Sequence, residues 1–171
     1  MTEDEFINIL KTGSFKERFD AVSRVNPAYL INAINDSDEN IRYKVAVRIS
    51  PENLAPLIND PYKEVRLIVA KRIDEKELPN MINDKSFWVR HAVAERIDES
   101  FLPQLINDKE VIVRIKVAER IDEKYLKDMI KDKEALVRKA IAQRIPKEYL
   151  PLLKDDESNT VRNIVLERLK S

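Results

Sequence analysis

The segment Val89-Arg90-His91-Ala92-Val93-Ala94-Glu95-Arg96-Ile97 is nearly copied on both sides. Upstream stands Val65-Arg66-Leu67-Ile68-Val69-Ala70-Lys71-Arg72-Ile73, and downstream Val113-Arg114-Ile115-Lys116-Val117-Ala118-Glu119-Arg120-Ile121. Each copy lies 24 residues from the next, as Arg66, Arg90 and Arg114 show. A unit this short cannot bury its own apolar face, so it must be covered by the next copy; a fixed period therefore predicts a stacked repeat array. Following the period gives whole columns: Leu30, Leu54, Leu78, Leu102, Leu126 and Leu150 form one, and Asp36, Asp60, Asp84, Asp108, Asp132 and Asp156 another, with Thr12 in the first slot. Seven units follow one another over residues 12–171 without insertion, the last cut short. Residues 1–11 stand outside the repeat and read as an N-terminal capping helix: Thr2 and Glu5 have capping-box spacing, and Phe6, Ile7, Ile9 and Leu10 supply an apolar face.

Each unit reads as two helical pieces. The first is predicted to start at the aspartate column, because Asp and Thr side chains accept an unpaired backbone N–H at a helix start. It runs to the column Ile49, Ile73, Ile97, Ile121, Ile145 and Leu169, about 13 residues or roughly 20 Å. The second starts at Asn26, Ser50, Asp74, Asp98, Asp122 and Pro146, mostly capping types. Pro79, Pro103 and Pro151 interrupt it, and proline removes a backbone donor and clashes with the preceding turn. Tight turns of 3₁₀ type are expected there rather than full α-helix. Strand signals are absent.

A 24-residue unit of the form D-x-x-x-x-V-R-x-x-V-A-x-R-I-x-x-x-x-L-x-x-L-I-x resembles the leucine-rich repeat variant (LRV) family over almost the whole chain. That resemblance implies an all-α fold: a right-handed superhelical solenoid in which each repeat pairs an α-helix with a short 3₁₀ helix. HEAT-type solenoids are a weaker likeness, since their unit is about 40 residues or longer. A cysteine-rich iron–sulfur cluster is known ahead of such repeats. With no cysteine in this chain, neither the cluster nor a redox role is carried over, and the resemblance implies an architecture without an activity.

All the arginines fall in two columns, and every other basic residue is a lysine. One column contains Arg18, Arg42, Arg66, Arg90, Arg114, Arg138 and Arg162, and the other Arg24, Arg48, Arg72, Arg96, Arg120, Arg144 and Arg168. On a helical wheel Arg90 falls inside the arc of Val89, Val93 and Ile97, while Arg96 lies at its edge. A guanidinium keeps its charge and its planar fork of donors when partly buried, whereas an ammonium is a strongly hydrated point charge. The segregation therefore points to an inter-repeat structural ladder of Arg42, Arg66, Arg90, Arg114 and Arg138, bonding helix-end carbonyls or the aspartate column of Asp60, Asp84, Asp108 and Asp132. An array for nucleic-acid phosphates is the alternative.

Positions that recur in every unit serve stacking, so partners must be met by positions that vary. On the opposite helix face, one column reads Asn40, Glu64, Trp88, Ile112, Leu136, Thr160, and its neighbour Tyr43, Leu67, His91, Ile115, Lys139, Asn163. Leu67, Trp88, Ile112, Ile115 and Leu136, beside His91, form a candidate partner-binding stripe, since exposed apolar surface marks interaction sites. Burial of the stripe between neighbouring helices is the alternative. His91 is the single histidine, too few for a metal cluster or a triad, and reads as a surface residue.

Composition narrows the function. Lys plus Arg and Asp plus Glu are 31 each, and neither half of the chain is strongly basic, which speaks against nucleic acid as partner. A patch of Lys124, Lys127, Lys131, Lys133 and Lys139 is the one lysine-rich region. One glycine excludes phosphate-cradling loops, and no nucleophile, base and orienting group assemble an enzyme. No cofactor and no metal are expected. No apolar run reaches the length of a membrane span. The acidic start is no signal peptide, and the absence of cysteine suits a reducing compartment, so a cytoplasmic protein is expected. The reading is a non-enzymatic protein–protein interaction scaffold, its partner unidentified or a second copy in a homodimer. A nucleic-acid-binding α-solenoid using lysine and arginine rows is the alternative.

Overall fold

A computed structural model describes residues 1–170. Among them α-helices alternate with 3₁₀ segments, and no strand occurs. The α-helices are α1 (Glu3–Thr12), α2 (Phe15–Arg24), α3 (Glu39–Arg48), α4 (Lys63–Arg72), α5 (Phe87–Arg96), α6 (Val111–Arg120), α7 (Ala135–Arg144) and α8 (Asn159–Lys170). The 3₁₀ segments are Pro27–Ala33, Pro51–Asn53, Ala55–Leu57, Glu75–Met81, Glu99–Leu105, Glu123–Met129 and Lys147–Leu153. The chain divides into two compact units, Met1–Val93 and the part from Ala94 onward. In the first, α1 packs on α2, α2 on α3 and α3 on α4; in the second, α6 packs on α7 and α7 on α8.

The repeat columns are the core of each unit. Val22, Val45 and Val69 in the first, and Val117, Ile141 and Val165 in the second, are sealed from solvent. So is the leucine column from Leu30 to Leu150, contributed by the 3₁₀ pieces and, at Leu54, by the residue between two of them. The alanines Ala46, Ala70, Ala118 and Ala142 are equally buried, and their small side chains let successive helices approach closely. Burying one valine or leucine is worth about 1.5–3 kcal/mol, so each repeat gains its stability from these few positions.

The short second pieces follow their caps. Asn26, Asp74, Asp98 and Asp122 each accept the backbone N–H two residues on, at 3.1, 3.1, 2.9 and 3.0 Å. Pro79, Pro103 and Pro151 sit inside 3₁₀ helices, where the lost donor interrupts only a short run.

The aspartate column differs from the sequence expectation. The α-helices begin three residues after it and hold 10 residues in α3, α4, α6 and α7. Asp60 Oδ1 accepts the N–H of Tyr62 at 2.9 Å, and Asp132 Oδ1 that of Glu134 at 2.9 Å. These are turns ahead of the helix, and the N-cap positions fall to Asp38, Tyr62, Glu110 and Glu134. The physical reason is that the second carboxylate oxygen is bound by an arginine of the preceding repeat, which holds the aspartate outside the helix start. Thr12 is no cap either. It is the last residue of α1, its hydroxyl donates to the Asn8 carbonyl at 2.9 Å, and Ser14 caps α2.

Thr2 and Glu5 form the capping box of α1, at 2.7 and 3.2 Å, and the helix buries Phe6. The turn into α2 uses the chain's single glycine. A β-carbon on Gly13 would lie 2.6 Å from the Ile9 carbonyl oxygen. Gly13→Ala is therefore expected to cost about 1–3 kcal/mol, as overpacking does. Calorimetry should show a thermal midpoint several degrees lower; an unchanged midpoint would mean that the joint between α1 and α2 relaxes freely.

Candidate functional site

The first arginine column and the aspartate column meet across adjacent repeats. Arg42 Nε donates to Asp60 Oδ2 at 2.6 Å, and its second fork nitrogen to Oδ1 at 3.2 Å. Arg66 meets Asp84, Arg114 meets Asp132 and Arg138 meets Asp156 in the same way, each at 2.6 Å through Nε. Arg18 meets Asp36 at 3.0 Å. The remaining nitrogen turns back to its own repeat: Arg42, Arg66, Arg114 and Arg138 donate to the carbonyls of Asp36, Asp60, Asp108 and Asp132 at 2.7–2.8 Å. Arg90 is buried as they are, and donates to the Asp84 carbonyl at 2.8 Å.

Electrostatics follow from this geometry. The hydrogen bond to the paired carboxylate, with its charge, outweighs burial and holds the guanidinium of Arg42, Arg66, Arg114 and Arg138 above its ordinary pKa. Burial alone would push the Asp132 and Asp156 carboxyls up. Hydrogen bonds from Arg114 and Arg138 respectively, from backbone N–H groups and from the arginine fields outweigh it, and both carboxyls titrate below the usual range.

The second column caps helix ends. Arg72 donates to the carbonyls of Ala46 and Ile49, the latter at 2.8 Å. Arg48 does the same to Val22 and Val25, Arg120 to Ala94 and Ile97, Arg144 to Ala118 and Ile121, and Arg168 to Ala142 and Ile145. The last carbonyls of a helix lack internal partners and carry its negative dipole end, so a cation with several donors suits them. Arg24 has no such acceptor among the described residues.

On the variable face, Trp88 is 51% exposed and Leu136 61%. Leu67, His91, Ile112 and Ile115 are half-buried. Leu67 and Trp88 line one groove of about 240 Å³ in the first unit, with Lys63, Glu64 and Ser86. Ile112, Ile115 and Leu136 lie in the second unit, on α6 and α7. Among the described residues no group of three or more His, Cys, Asp or Glu side chains could hold a metal ion, and no helix is long and apolar enough to cross a membrane.

No protein-family model matches the sequence, and no curated protein does. Solved structures do. One, described as a leucine-rich repeat variant with a novel repetitive protein structural motif, is 33% identical with a TM-score of 0.86, over 96% of this chain and 71% of that one. The chain belongs to the leucine-rich repeat variant family. A second structure, of an engineered protein, is 10% identical with a TM-score of 0.39 and bears on neither fold nor function.

Within this leucine-rich repeat variant, sequence reasoning passed over Tyr62. It occupies the N-cap slot otherwise held by Asp38, Ser86, Glu110, Glu134 and Ser158, and an aromatic ring among capping and acidic residues was the signal. Its ring lies under the Arg42 guanidinium, 5.5 Å from centroid to Cζ, and with Tyr43 lines a groove of about 420 Å³ between α3 and α4.

Two measurements test the ladder of this leucine-rich repeat variant. Arg114 and Asp132 are 6% and 7% exposed, so Asp132→Ala strands a buried cation and should cost about 3–5 kcal/mol in urea unfolding. Combined with Arg114→Met, the loss should be well below the sum of the two single losses; simple additivity would show that the pair does not interact. The lowered Asp132 and Asp156 carboxyls also set a pH dependence. Their stabilisation is complete above the ordinary value of 3.8 and is lost as the pH falls below it, through the depressed folded-state value. Unfolding free energy should thus fall more steeply below about pH 4 in the wild type than in Asp132→Asn, which has no proton to take up. Parallel slopes would refute the assignment.

Proposed function

We propose that this chain is a non-enzymatic protein-binding scaffold of cytoplasmic setting. The observation that carries the reading is the exposure of Trp88 and Leu136, large apolar side chains on the helix faces opposite the packed columns. Water around a free tryptophan and leucine is released when a partner covers them, which is the driving force of association. Both stand in a column that varies from repeat to repeat, so stacking does not require them there. The nucleic-acid alternative loses support because the forks of Arg42, Arg66, Arg114 and Arg138 are occupied by carboxylates and carbonyls. Phosphate binding would fall chiefly to the lysines, in a chain of zero net charge.

The test uses the whole chain as bait for lysate of the source organism, beside a triple variant Trp88→Ala, Ile112→Ser and Leu136→Ser. Circular dichroism first checks that the variant folds: Trp88 and Leu136 face solvent, where substitutions usually change stability by less than about 0.5 kcal/mol, while Ile112 is half-buried and its change costs more. A partner retained by the wild type and lost by the variant is the expected result. Loss of a homodimer in light scattering would identify a second copy as that partner. Identical partner sets for both baits would overturn the assignment of these residues to partner binding.

A further inference from the structure

The groove between α3 and α4 is lined by Glu39, Asn40 and Tyr43 from one side and Tyr62, Glu64 and Val65 from the other. Tyr43 and Tyr62 are 40% and 43% exposed, large aromatic surfaces left in water. Tyr62 is not loose. The guanidinium of Arg42 lies over its ring, and that guanidinium is itself pinned by Asp60. Each wall adds one carboxylate, Glu39 and Glu64. Two carboxylates and the Tyr43 ring form a surface that attracts a cation through charge and quadrupole, the charge of Arg42 over Tyr62 being offset by Asp60. Lys63 sits 3.8 Å from Glu64, but both side chains are 59% exposed, and such a surface pair is weak enough to yield to a better-placed cation.

The groove does not stand alone. Glu64 also lines the neighbouring groove that holds Leu67 and Trp88. Trp88 leans on Phe87, their ring centroids 4.6 Å apart. A cation-attracting site and an apolar site are thus joined through one carboxylate within the first unit. The set Glu39, Tyr43, Tyr62 and Glu64 recurs nowhere else in the repeat columns; the equivalent residues 24 further on are Lys63, Leu67, Ser86 and Trp88. Stacking needs recurrence, so this combination serves something else.

We infer that this strip docks a protein segment carrying a lysine or arginine side chain beside a large apolar one, the cation seated between Tyr43 and Tyr62 and the apolar group against Leu67 and Trp88. The inference rests on the scaffold reading and names the chemistry of the partner. Charge complementarity selects the occupant: an acidic segment would meet Glu39 and Glu64 with like charge.

The experiment screens a phage library of random dodecapeptides against the immobilised full chain, then titrates the enriched peptides by calorimetry into the wild type, Glu39→Gln/Glu64→Gln, Tyr43→Ala, Tyr43→Phe and Trp88→Ala. Circular dichroism checks each fold. Tyr43 and both glutamates lie outside the arginine–aspartate ladder, so these variants should fold. The expected peptides pair Arg or Lys with Leu, Ile, Phe or Trp. Their affinity should fall about tenfold in the double glutamine variant and in Tyr43→Ala, the range of cation–aromatic and charge contributions. It should survive Tyr43→Phe and weaken with added salt. Enriched peptides without basic residues, or unchanged affinity in the double glutamine variant, overturn the inference. If Trp88→Ala alone abolishes their binding, the scaffold reading stands while the cation site fails. A screen that enriches no peptide overturns the docking strip itself.

Discussion

Arg42, Arg66, Arg114 and Arg138, buried arginines of the first column, each hold two repeats at once. The Nε side of each binds the aspartate of the following repeat, and its other end binds a carbonyl of its own loop, as Arg66 does with Asp84 and Asp60. Lysine could not replace them: one ammonium has no planar fork to match a carboxylate and reach a carbonyl on the opposite side. Once such a cation is buried, every donor and acceptor around it must be satisfied, because an unpaired polar group in the interior costs more than its hydrogen bond returns. Among the described residues no buried side-chain nitrogen or oxygen lacks a partner. The helix length, the turn before it and the position of the next loop all follow from that demand.

A buried ion pair is a poor source of net stability, since desolvation consumes most of the Coulomb attraction. Apolar residues of similar volume would pack the same space at less cost. What they lack is direction. A carboxylate that takes one arginine on Oδ2 and one backbone N–H on Oδ1 has a single place to sit, and Asp60 and Asp132 occupy it in the same way in different units. Valines and leucines then supply the stability, and the arginine–aspartate pairs supply the register.

The repeat, the division of each unit into an α-helix and a 3₁₀ piece, and the core columns were all legible in the sequence. They rest on recurrence, and recurrence within one chain is visible without a structure. The pairing of the aspartate column with arginines across repeats was legible as well; that it does not cap the helix was not. A column of aspartates before an apolar helix has the signature of an N-cap, and nothing local reveals that the arginine pairing holds the carboxylate three residues ahead of the helix. Thr12 failed for a related reason: it fills the aspartate slot, yet it lies at the end of α1, where no preceding repeat arginine calls for an acid. Among the candidate partner residues, Trp88 and Leu136 were visible as apolar intruders in a variable column. Tyr62 was hidden because its slot is a cap, and its meaning depends on Arg42 from the neighbouring helix.

Recurrence also separates what this fold must keep from what it is free to change. Substituting a residue of the arginine, aspartate, leucine or alanine columns disturbs the packing between repeats, and the cost is paid in stability. Changing position 88 or 136 alters only what meets water. A stacked array can therefore acquire a new binding surface without renegotiating its core. The cluster of Tyr43, Tyr62 and Glu64 illustrates a place where the two sets touch: Tyr62 is exposed and variable, yet Arg42 lies over its ring. A rigid aromatic surface loses little conformational entropy when a partner covers it. At Tyr62 the buried ladder reaches the surface, and there it turns a packing device into a preorganised place to bind.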